Sequence, residues 1–383
     1  MKIKVMEVSS DSNIGGAGRC LIALLKNFDY EQFDVSVVLP PNSLLKPEIE
    51  ALGIKVFEVC GIAEKSLDLK SIKRLTKLFK SESPDIVHTH ASMSARIAAH
   101  RTKAVTIYTR HSVFPPSKKL TTFPGKAING FINNRYADGI IAVAEAAKDN
   151  LTDTGVDPNR IEVILNGVDG LSPISDEEKS EVRARFGVKP DEKVVSIVAR
   201  LEDIKGHKYF IEAAKQLIDK GINAKFLIAG TGSYEAELKS YAKELGVTEN
   251  VIFTGFISDV DKLMNITDVQ VNASYGTEAT SLALLEGMSL GIPAVVSDFG
   301  GNPGVIKNGS NGIVFPKKNS DELARGVEKL LCDKETYDKM SQTAKAIFNE
   351  RFTSRIMTKN TENMYLKTLR RSKKKLTIRK DGL

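Results

Sequence analysis

Short apolar runs alternate with amphipathic segments along most of the chain. In the first half these runs recur at intervals of about 20 to 30 residues, which is typical of strands separated by helices in doubly wound α/β domains. They lie at Val35–Leu39, Lys55–Val59, Pro84–His90, Ile107–Ser112, Asp138–Val143 and Ile161–Ile164. The pattern starts again at Lys193–Ala199 and continues at Phe226–Gly232, Val251–Phe256 and Asp268–Ala273. We therefore predict buried parallel strands in two successive α/β domains.

A polar, proline-containing segment at Leu171–Glu178 separates the two halves and is typical of a linker. The 383 residues are enough for two or three domains of about 150 residues each. The three cysteines are far apart, which disfavours a disulfide framework and fits a reducing cytosol. Met1–Val8 is predicted as a first strand and not as a signal peptide, and no apolar run is long enough to span a bilayer. We expect a cytoplasmic protein.

The stretch from Tyr275 to Pro303 carries the strongest local signals. Ser281 is a good helix N-cap, and Gly291 followed by Pro293 predicts the end of that helix. Ala294–Val296 is short and apolar and follows the helix directly, so we predict a buried parallel strand there.

Two carboxylates in this stretch need an explanation. Glu278 precedes the predicted helix, and Glu286 lies eight positions further on, inside it. If the helix reached back to Glu278, the two would be roughly 12 Å apart along its axis. That separation suits contacts to two ends of one ligand better than a glycosidase pair, which works at about 5–10 Å. The alternative is two solvated acids on a surface helix.

A glycine loop follows the first strand. Gly15–Gly18 leads into a helix that we predict to begin at Cys20. Backbone N–H groups at such a helix start can face a phosphate, although a tight strand-to-helix turn also needs glycine.

Three histidines follow predicted strands. His88 and His90 share a face because side chains alternate along a strand, and this suggests a metal site. No carboxylate or further histidine stands near them in sequence to complete one, so we favour a binding-site lining. His111 follows the next strand, and its position alone is that of a structural histidine.

The stretch from Ile86 to Ala137 contains no Asp or Glu but many cations. Within it, Phe114–Ile132 mixes aromatic and basic residues, and the C-terminal run Lys367–Lys380 is also strongly basic. This bias favours an anionic partner, either a lipid surface or a lipid pyrophosphate, while scattered basic surface is the alternative. No nucleic-acid-binding module is present, so nucleic acid is not expected. The cations are Arg96, Arg101, Lys103, Arg110, Lys118, Lys119, Lys126 and Arg135.

The stretch from Glu278 to Glu286, continued by Leu284–Asp298 and Gly300–Pro303, resembles the signature of retaining glycosyltransferase family four. Pro84–His90 and Asn166–Asp169 are also similar to sequences of that family. The resemblance implies an α/β protein of the GT-B fold, with two Rossmann-like domains facing across a cleft. It implies an N-terminal acceptor domain of residues 1–170, joined by a C-terminal crossover helix at 352–383. Residues 171–351 would form the nucleotide-sugar-binding domain.

The resemblance also implies roles for single residues. His111 would lie at the reaction centre, Glu278 at the transferred sugar and Glu286 at the ribose hydroxyls. Arg200 and Lys205 would bind the donor diphosphate, where Arg offers a planar fork and Lys a point charge. The remaining donor-binding residues would be Gly15, Gly16, Gly255, Phe256, Ala279, Thr280 and Ser281. Two positions depart from the family pattern, since Ala279 stands where Gly is common and Gly304 where Glu is usual.

The expected reaction is transfer of a hexose from a nucleotide sugar, a UDP-hexose by expectation, with retention of configuration. The acceptor would be a hydroxyl of a glycan or a lipid-linked molecule in cell-surface polysaccharide or glycolipid biosynthesis, with the enzyme on the inner face of the membrane. No Asp-x-Asp motif stands at a strand end, so we expect no metal and no other cofactor. Two alternatives remain: a GT-B nucleotide-sugar 2-epimerase, which would form product from the donor alone, and a non-catalytic subunit of a glycan-assembly complex.

Overall fold

The computed structural model describes residues 2–63 and 67–380, and the side chains of residues 2–63 and 67–372. The chain forms two compact units. The first runs to Gly167 and includes the segment from Ser354 onward, and the second is Val168–Thr353. The sequence analysis placed these changes at residues 170 and 352, so the observed boundaries differ by three and two residues.

All strands within the described ranges belong to two parallel sheets. In chain order they are β1 Ile3–Ser9, β2 Phe33–Leu39, β3 Lys55–Glu58, β4 Ile86–His90, β5 Val105–Arg110, β6 Gly139–Ala142, β7 Ile161–Val163, β8 Lys193–Val198, β9 Ala224–Ala229, β10 Val251–Gly255, β11 Val269–Asn272, β12 Ala294–Ser297 and β13 Gly312–Phe315. Each predicted strand is present, with ends that differ by a few residues at most. The order is β3-β2-β1-β4-β5-β6-β7 in the first unit and β10-β9-β8-β11-β12-β13 in the second.

Helices connect the strands. They are α1 Gly16–Asn27, α2 Lys46–Ala51, α3 Leu69–Glu82, α4 Met93–Thr102, α5 Lys118–Thr121, α6 Gly125–Arg135, α7 Glu145–Asp153, α8 Asp176–Arg185, α9 His207–Asp219, α10 Glu235–Glu244, α11 Val260–Asn265, α12 Leu282–Leu290, α13 Asn302–Val305, α14 Ser320–Cys332, α15 Lys334–Arg351 and α16 Ser354–Lys380. Single 3₁₀ turns lie at Pro158–Arg160 and Asp203–Lys205. In the described part of the chain, none of these helices combines the length and the apolar character that crossing a membrane requires.

Both sheets are buried on both faces, which explains why their strands are nearly continuous apolar runs. In the first unit, Val5 of β1 packs with α1 and α16, and its neighbour Met6 packs on the opposite face with α3 and α4. In the second unit, Val195 and Val194 of β8 are divided in the same way between two core clusters. The alternation of side chains along each strand therefore supplies two hydrophobic layers per sheet.

The last helix, α16, belongs to the first unit, as the family resemblance implied. Its Tyr365 is fully buried and lies 6.2 Å, between ring centroids, from both Phe28 and Phe33. Leu366 and Leu369 pack against the same core. The basic run predicted at Lys367–Lys380 falls on this helix, but its side chains from Lys373 onward lie outside the described residues.

Each sheet has one point where the strand order reverses. It lies between β1 and β4 in the first unit and between β8 and β11 in the second. In open parallel sheets, ligands bind outside the carboxyl ends of the strands at such a switch point. The two switch points are therefore the places to look for functional side chains.

Candidate active site

The loops after β8 and β11 meet at the switch point of the second unit. Gly206 adopts a φ of +75°, and a Cβ there would lie only 2.1 Å from the carbonyl oxygen of Ala273. Only glycine allows this approach of the two backbones. The Tyr275 N–H donates to the carbonyl of Ile204 at 2.9 Å, which joins the loops. Lys205 is thereby brought against the segment that contains Glu278.

Glu278 is held by donors from several directions. Its Oε2 accepts hydrogen bonds from Lys205 Nζ at 3.0 Å, Asn272 Nδ2 at 3.2 Å and Ser274 Oγ at 3.1 Å. Lys205 Nζ also donates to the carbonyl of Thr277 at 2.9 Å. Since one oxygen takes all three of these bonds, the carboxylate has a fixed orientation, and the lone pairs of Oε1 can serve a ligand hydroxyl.

A glycine turn fixes the backbone of Glu278 as well. The Gly301 N–H donates to the Glu278 carbonyl at 3.0 Å. Gly300 has a φ of +62°, and a Cβ there would meet the same carbonyl oxygen at 2.1 Å. The turn after β12 therefore tolerates only glycine at position 300, which accounts for the first glycine of the Gly-Gly pair seen in the sequence.

The helix that carries Glu286 begins at Leu282 and not at Glu278. The predicted N-cap is confirmed, because Ser281 Oγ accepts from the Leu284 N–H at 3.3 Å, and Gly291 ends the helix in a left-handed conformation. The roughly 12 Å estimate for an unbroken helix therefore does not apply to the two carboxylates. Glu286 itself is 3% exposed on α12.

The remaining donor-binding residues predicted in this unit differ in exposure. Ala279 is buried, and Thr280 and Ser281 are half-buried in the loop before α12. Arg200 is exposed just beyond β8. Gly255 ends β10, and the Phe256 ring that follows it is 77% exposed. These residues all follow carboxyl ends of strands of one parallel sheet, or precede the helix after such a strand.

His207, next to the lysine loop, was not singled out from the sequence. It is fully buried at the start of α9. Burial, together with the nearby Lys205 charge, lowers its pKa to about 4. His207 is therefore neutral at physiological pH and adds no positive charge next to Lys205.

In the first unit, the switch point holds a buried carboxylate that sequence reasoning missed. Glu7 of β1 is fully buried, and its Oε2 lies 2.9 Å from His88 Nδ1 and 3.0 Å from His90 Nε2. Its Oε1 accepts from the Tyr365 hydroxyl at 2.6 Å. Burial raises the pKa of Glu7, but the charges and hydrogen bonds of His88 and His90 outweigh it, so the pKa is well below its usual range.

This cluster corrects one premise of the sequence analysis. We found no carboxylate near His88 and His90 in sequence, yet Glu7, 83 positions before His90, supplies one in space. The ligand atoms of the three residues lie within 4.8 Å of one another, close enough to hold a metal ion. The side chains of these three residues are hydrogen-bonded to each other and to Tyr365, Thr109 and His111. Glu7 lies opposite His88 in the neighbouring parallel strand. The sequence does not show this pairing until the order of the strands in the sheet is known.

His111 follows β5 directly and is half-buried. Its Nε2 lies 2.8 Å from His90 Nδ1, with the two rings stacked 5.1 Å apart. Burial lowers the pKa of His111 well below the usual value, and the neighbouring His90 and His88 act in the same direction. The structure thus brings His111 together with His88 and His90, which were expected to share a face of their own strand.

The glycine loop of the first unit forms the start of a helix. The sequence analysis predicted the helix start at Cys20, but α1 begins at Gly16, because Gly15 is its extended N-cap and accepts from the Arg19 N–H at 2.9 Å. A Cβ added to Gly15 or Gly16 would meet no atom of the described residues within 4 Å, so that side of the loop is open.

Comparison with known proteins agrees with this architecture. The family described as Glycosyltransferase Family 4 matches residues 14–170, and Glycosyl transferases group 1 matches residues 178–347. A galactosyltransferase of Escherichia coli, UDP-Gal:alpha-D-GlcNAc-diphosphoundecaprenol alpha-1,3-galactosyltransferase, is 28% identical over 87% of this chain and 89% of its own length. The uncharacterized glycosyltransferase MJ1607 of Methanocaldococcus jannaschii is 31% identical over 73% of this chain and 75% of its own.

A solved structure is similar over nearly the whole chain. Anabaena Alr3699/HepE in complex with UDP and glucose superposes with a TM-score of 0.82 at 22% identity, covering 94% of this chain and 99% of the other. The fold and the two family matches therefore define a GT-B glycosyltransferase. The chain belongs to glycosyltransferase family 4.

The Lys205–Glu278 pair leads to a stability prediction. Lys205→Met should destabilise the protein by roughly 3 kcal/mol, because it leaves a buried carboxylate without its cation. Glu278→Gln should cost less, since the amide oxygen still accepts from Asn272 and Ser274. The free energies of unfolding in urea of the single and double variants give the coupling energy between the two side chains.

Lys193→Met is the matched control, because Lys193 forms a 3.1 Å ion pair with Asp268 at a more exposed place in the same unit. Its cost should stay below about 1 kcal/mol. Equal costs for Lys205→Met and Lys193→Met, with no coupling to Glu278, would show that the buried pair does not organise the site.

Proposed function

We propose that this glycosyltransferase moves a hexose from a UDP-sugar to a hydroxyl of a lipid-linked or glycan acceptor, with retention of configuration and without a metal. The observation that carries the proposal is the fixed Glu278 carboxylate, whose Oε2 takes the hydrogen bonds of Lys205, Asn272 and Ser274 while Oε1 takes none of these three. A carboxylate oxygen held in this way can accept hydrogen bonds from sugar hydroxyls without a reorganisation cost during the reaction.

The cations of the second unit suit a diphosphate leaving group. Arg200 is exposed beyond β8, and Lys205 follows five positions later in the same loop. Negative charge on the diphosphate grows as the bond to the sugar breaks, and nearby cations stabilise that charge more in the transition state than before it. We propose that the leaving phosphate takes the proton of the acceptor hydroxyl, so that no separate base is needed. The buried Glu286 on α12 is proposed to hold the ribose hydroxyls.

The names of similar proteins support the choice of donor and acceptor. The Escherichia coli relative is named for UDP-galactose and a diphosphoundecaprenol-linked sugar. The Anabaena structure contains UDP and glucose. A UDP-hexose donor and a lipid-linked acceptor are consistent with both.

The first functional prediction concerns Arg200. With a panel of nucleotide sugars, at least one UDP-hexose should be turned over, and Arg200→Ala should lower that rate about 100-fold, the usual effect of removing one donor to a developing charge. Rates in chelator and in added magnesium should be equal. Release of UDP is the measurement.

The control is Lys239→Ala, which removes one positive charge from an exposed pair with Glu235 in the same unit. Its rate should match that of the unaltered enzyme. A strict requirement for magnesium, or equal losses in the two variants, would overturn the proposed use of cations. Product formed from the donor alone would favour the epimerase.

A second part of the proposal places the first unit on an anionic membrane surface. We define the α5–α6 surface as the exposed side chains of residues 114–135. Its apolar members are Phe114, Leu120, Phe123, Ile128 and Phe131. On α6, Ile128, Phe131 and Arg135 are spaced three and four residues apart and therefore share one helix face.

The charges of the α5–α6 surface have one sign. Lys118, Lys119, Lys126 and Arg135 are exposed, and the sequence has no acid from Ile86 to Ala137 to balance them. Exposed aromatic and aliphatic groups interleaved with lysines are typical of segments that lie in a membrane interface. Each such cation contributes roughly 1 kcal/mol near an anionic leaflet, and the effect falls with salt.

The membrane prediction is tested by flotation with liposomes. The protein should float with phosphatidylglycerol vesicles at low salt, and less so at high salt. Phe123→Ser/Phe131→Ser should weaken binding, while Leu69→Ser, at an equally exposed leucine of the same unit, should not. A variant without the end of the basic C-terminal run should be truncated after Ser372. The residues before that point are kept, because Leu369 packs in the core and Lys367 pairs with Glu162 at 2.6 Å. If the protein does not float with anionic vesicles at low salt, the proposed membrane binding is wrong.

A further inference from the structure

The buried cluster of the first unit gives His111 a direct connection to Glu7. The connection runs from Glu7 Oε2 to His90 Nε2, 3.0 Å, and from His90 Nδ1 to His111 Nε2, 2.8 Å. The first two members are almost inaccessible to solvent, whereas His111 is half-buried. This series of hydrogen bonds determines which ring nitrogen of His90 and of His111 carries a proton.

The direction of the hydrogen bonds follows from Glu7. An ionised carboxylate only accepts, so His90 must carry its proton on Nε2. We take His90 as a neutral imidazole, which has one N–H. His90 Nδ1 is then an acceptor, and the proton in the 2.8 Å contact belongs to Nε2 of His111. The Nδ1 of His111 is left with a lone pair.

Glu7 is itself fixed by side chains from two elements, β4 and α16. The hydroxyl of Tyr365 on α16 donates to Oε1, and burial raises the pKa of this tyrosine well above its usual value, so the hydroxyl keeps its proton. His88 Nδ1 also contacts Oε2 and the Tyr365 oxygen, at 2.9 and 2.6 Å. His88 Nε2 then accepts from Thr109 Oγ1 at 2.6 Å, a branch that does not lead to His111.

We propose that Glu7, acting through His90, holds His111 in the Nε2–H tautomer, so that His111 Nδ1 accepts a hydrogen bond from a hydroxyl of the bound carbohydrate. Glu7 and His90 are positioning residues, since they act through His111. The inference rests on the proposed function for the identity of the ligand as a carbohydrate, but not for the tautomer.

The tautomer can be read without any substrate. The chain has five histidines, so ¹⁵N-histidine labelling of the full-length protein gives a spectrum that single substitutions assign. At pH 8, two-bond ¹H–¹⁵N correlations should show both His90 and His111 protonated on Nε2. An Nδ1–H tautomer at His111 in the unaltered protein would overturn the proposal, whatever the enzyme does.

Glu7→Gln replaces a side chain that can only accept hydrogen bonds with one that can also donate them. Its amide group can donate to His90 Nε2, which permits the opposite tautomers along the chain. We expect the Nε2–H signal of His111 to be lost or mixed, and kcat for sugar transfer to fall at least about tenfold, with the KM for the nucleotide sugar little changed. His90→Phe breaks the chain one step nearer to His111 and should have the same two effects. His90→Phe also keeps the proposal testable if Glu7→Gln does not fold.

Thr109→Val is the matched control, because it removes a buried hydrogen bond of the same cluster on the His88 branch only. It should keep the His111 tautomer and a near-normal kcat despite a comparable loss of stability. Unchanged His111 signals in both Glu7→Gln and His90→Phe would overturn the proposal. If His111 shows the Nε2–H form while no nucleotide sugar is turned over, the tautomer assignment stands and the proposed function fails.

Discussion

A carboxylate buried at the carboxyl end of a parallel sheet must be surrounded by hydrogen-bond donors, because an uncompensated buried charge costs several kcal/mol. Glu7 in the first unit and Glu278 in the second are such groups. The donors around Glu278 come from the loops after β8 and β11, which explains why those loops approach so closely at Gly206. The donors around Glu7 come from β4 and α16, and the contact with Tyr365 gives the last helix a specific place in the first unit.

Both carboxylates lie at the reversal of strand order in their sheet. At this point the connections from neighbouring strands depart to opposite faces, and side chains at the strand ends are left without a covering helix. A fold with two such sheets therefore offers two polar clusters, one per unit. The cluster of the second unit is built on the ion pair of Lys205 and Glu278, whereas the half-buried end of the cluster in the first unit is His111, whose pKa burial lowers well below its usual value.

Local signals were enough to predict much of this arrangement. The strands followed from short apolar runs, and both ends of α12 followed from Ser281 and Gly291, because capping depends on adjacent residues. The start of α1 was predicted four residues late, since Gly16 and Gly18 look unfavourable for a helix until Gly15 is seen as its cap. Glu7 could not be found in this way. In the sequence it stands among alternating charged and apolar residues, and only the pairing of β1 with β4 places it beside His88.

The two departures from the family pattern differ in physical terms. Ala279 is buried next to Glu278, so an added methyl group there is part of the packing around the site. Gly304 is exposed on α13 with open space where a side chain would begin, so packing does not explain why Glu is absent.

The proposed transfer from a UDP-sugar with retention is tested most directly by the configuration of the product. With an active UDP-hexose and acceptor, ¹H NMR of the anomeric proton should show the configuration of the donor in the product. A product of inverted configuration would contradict the proposed function.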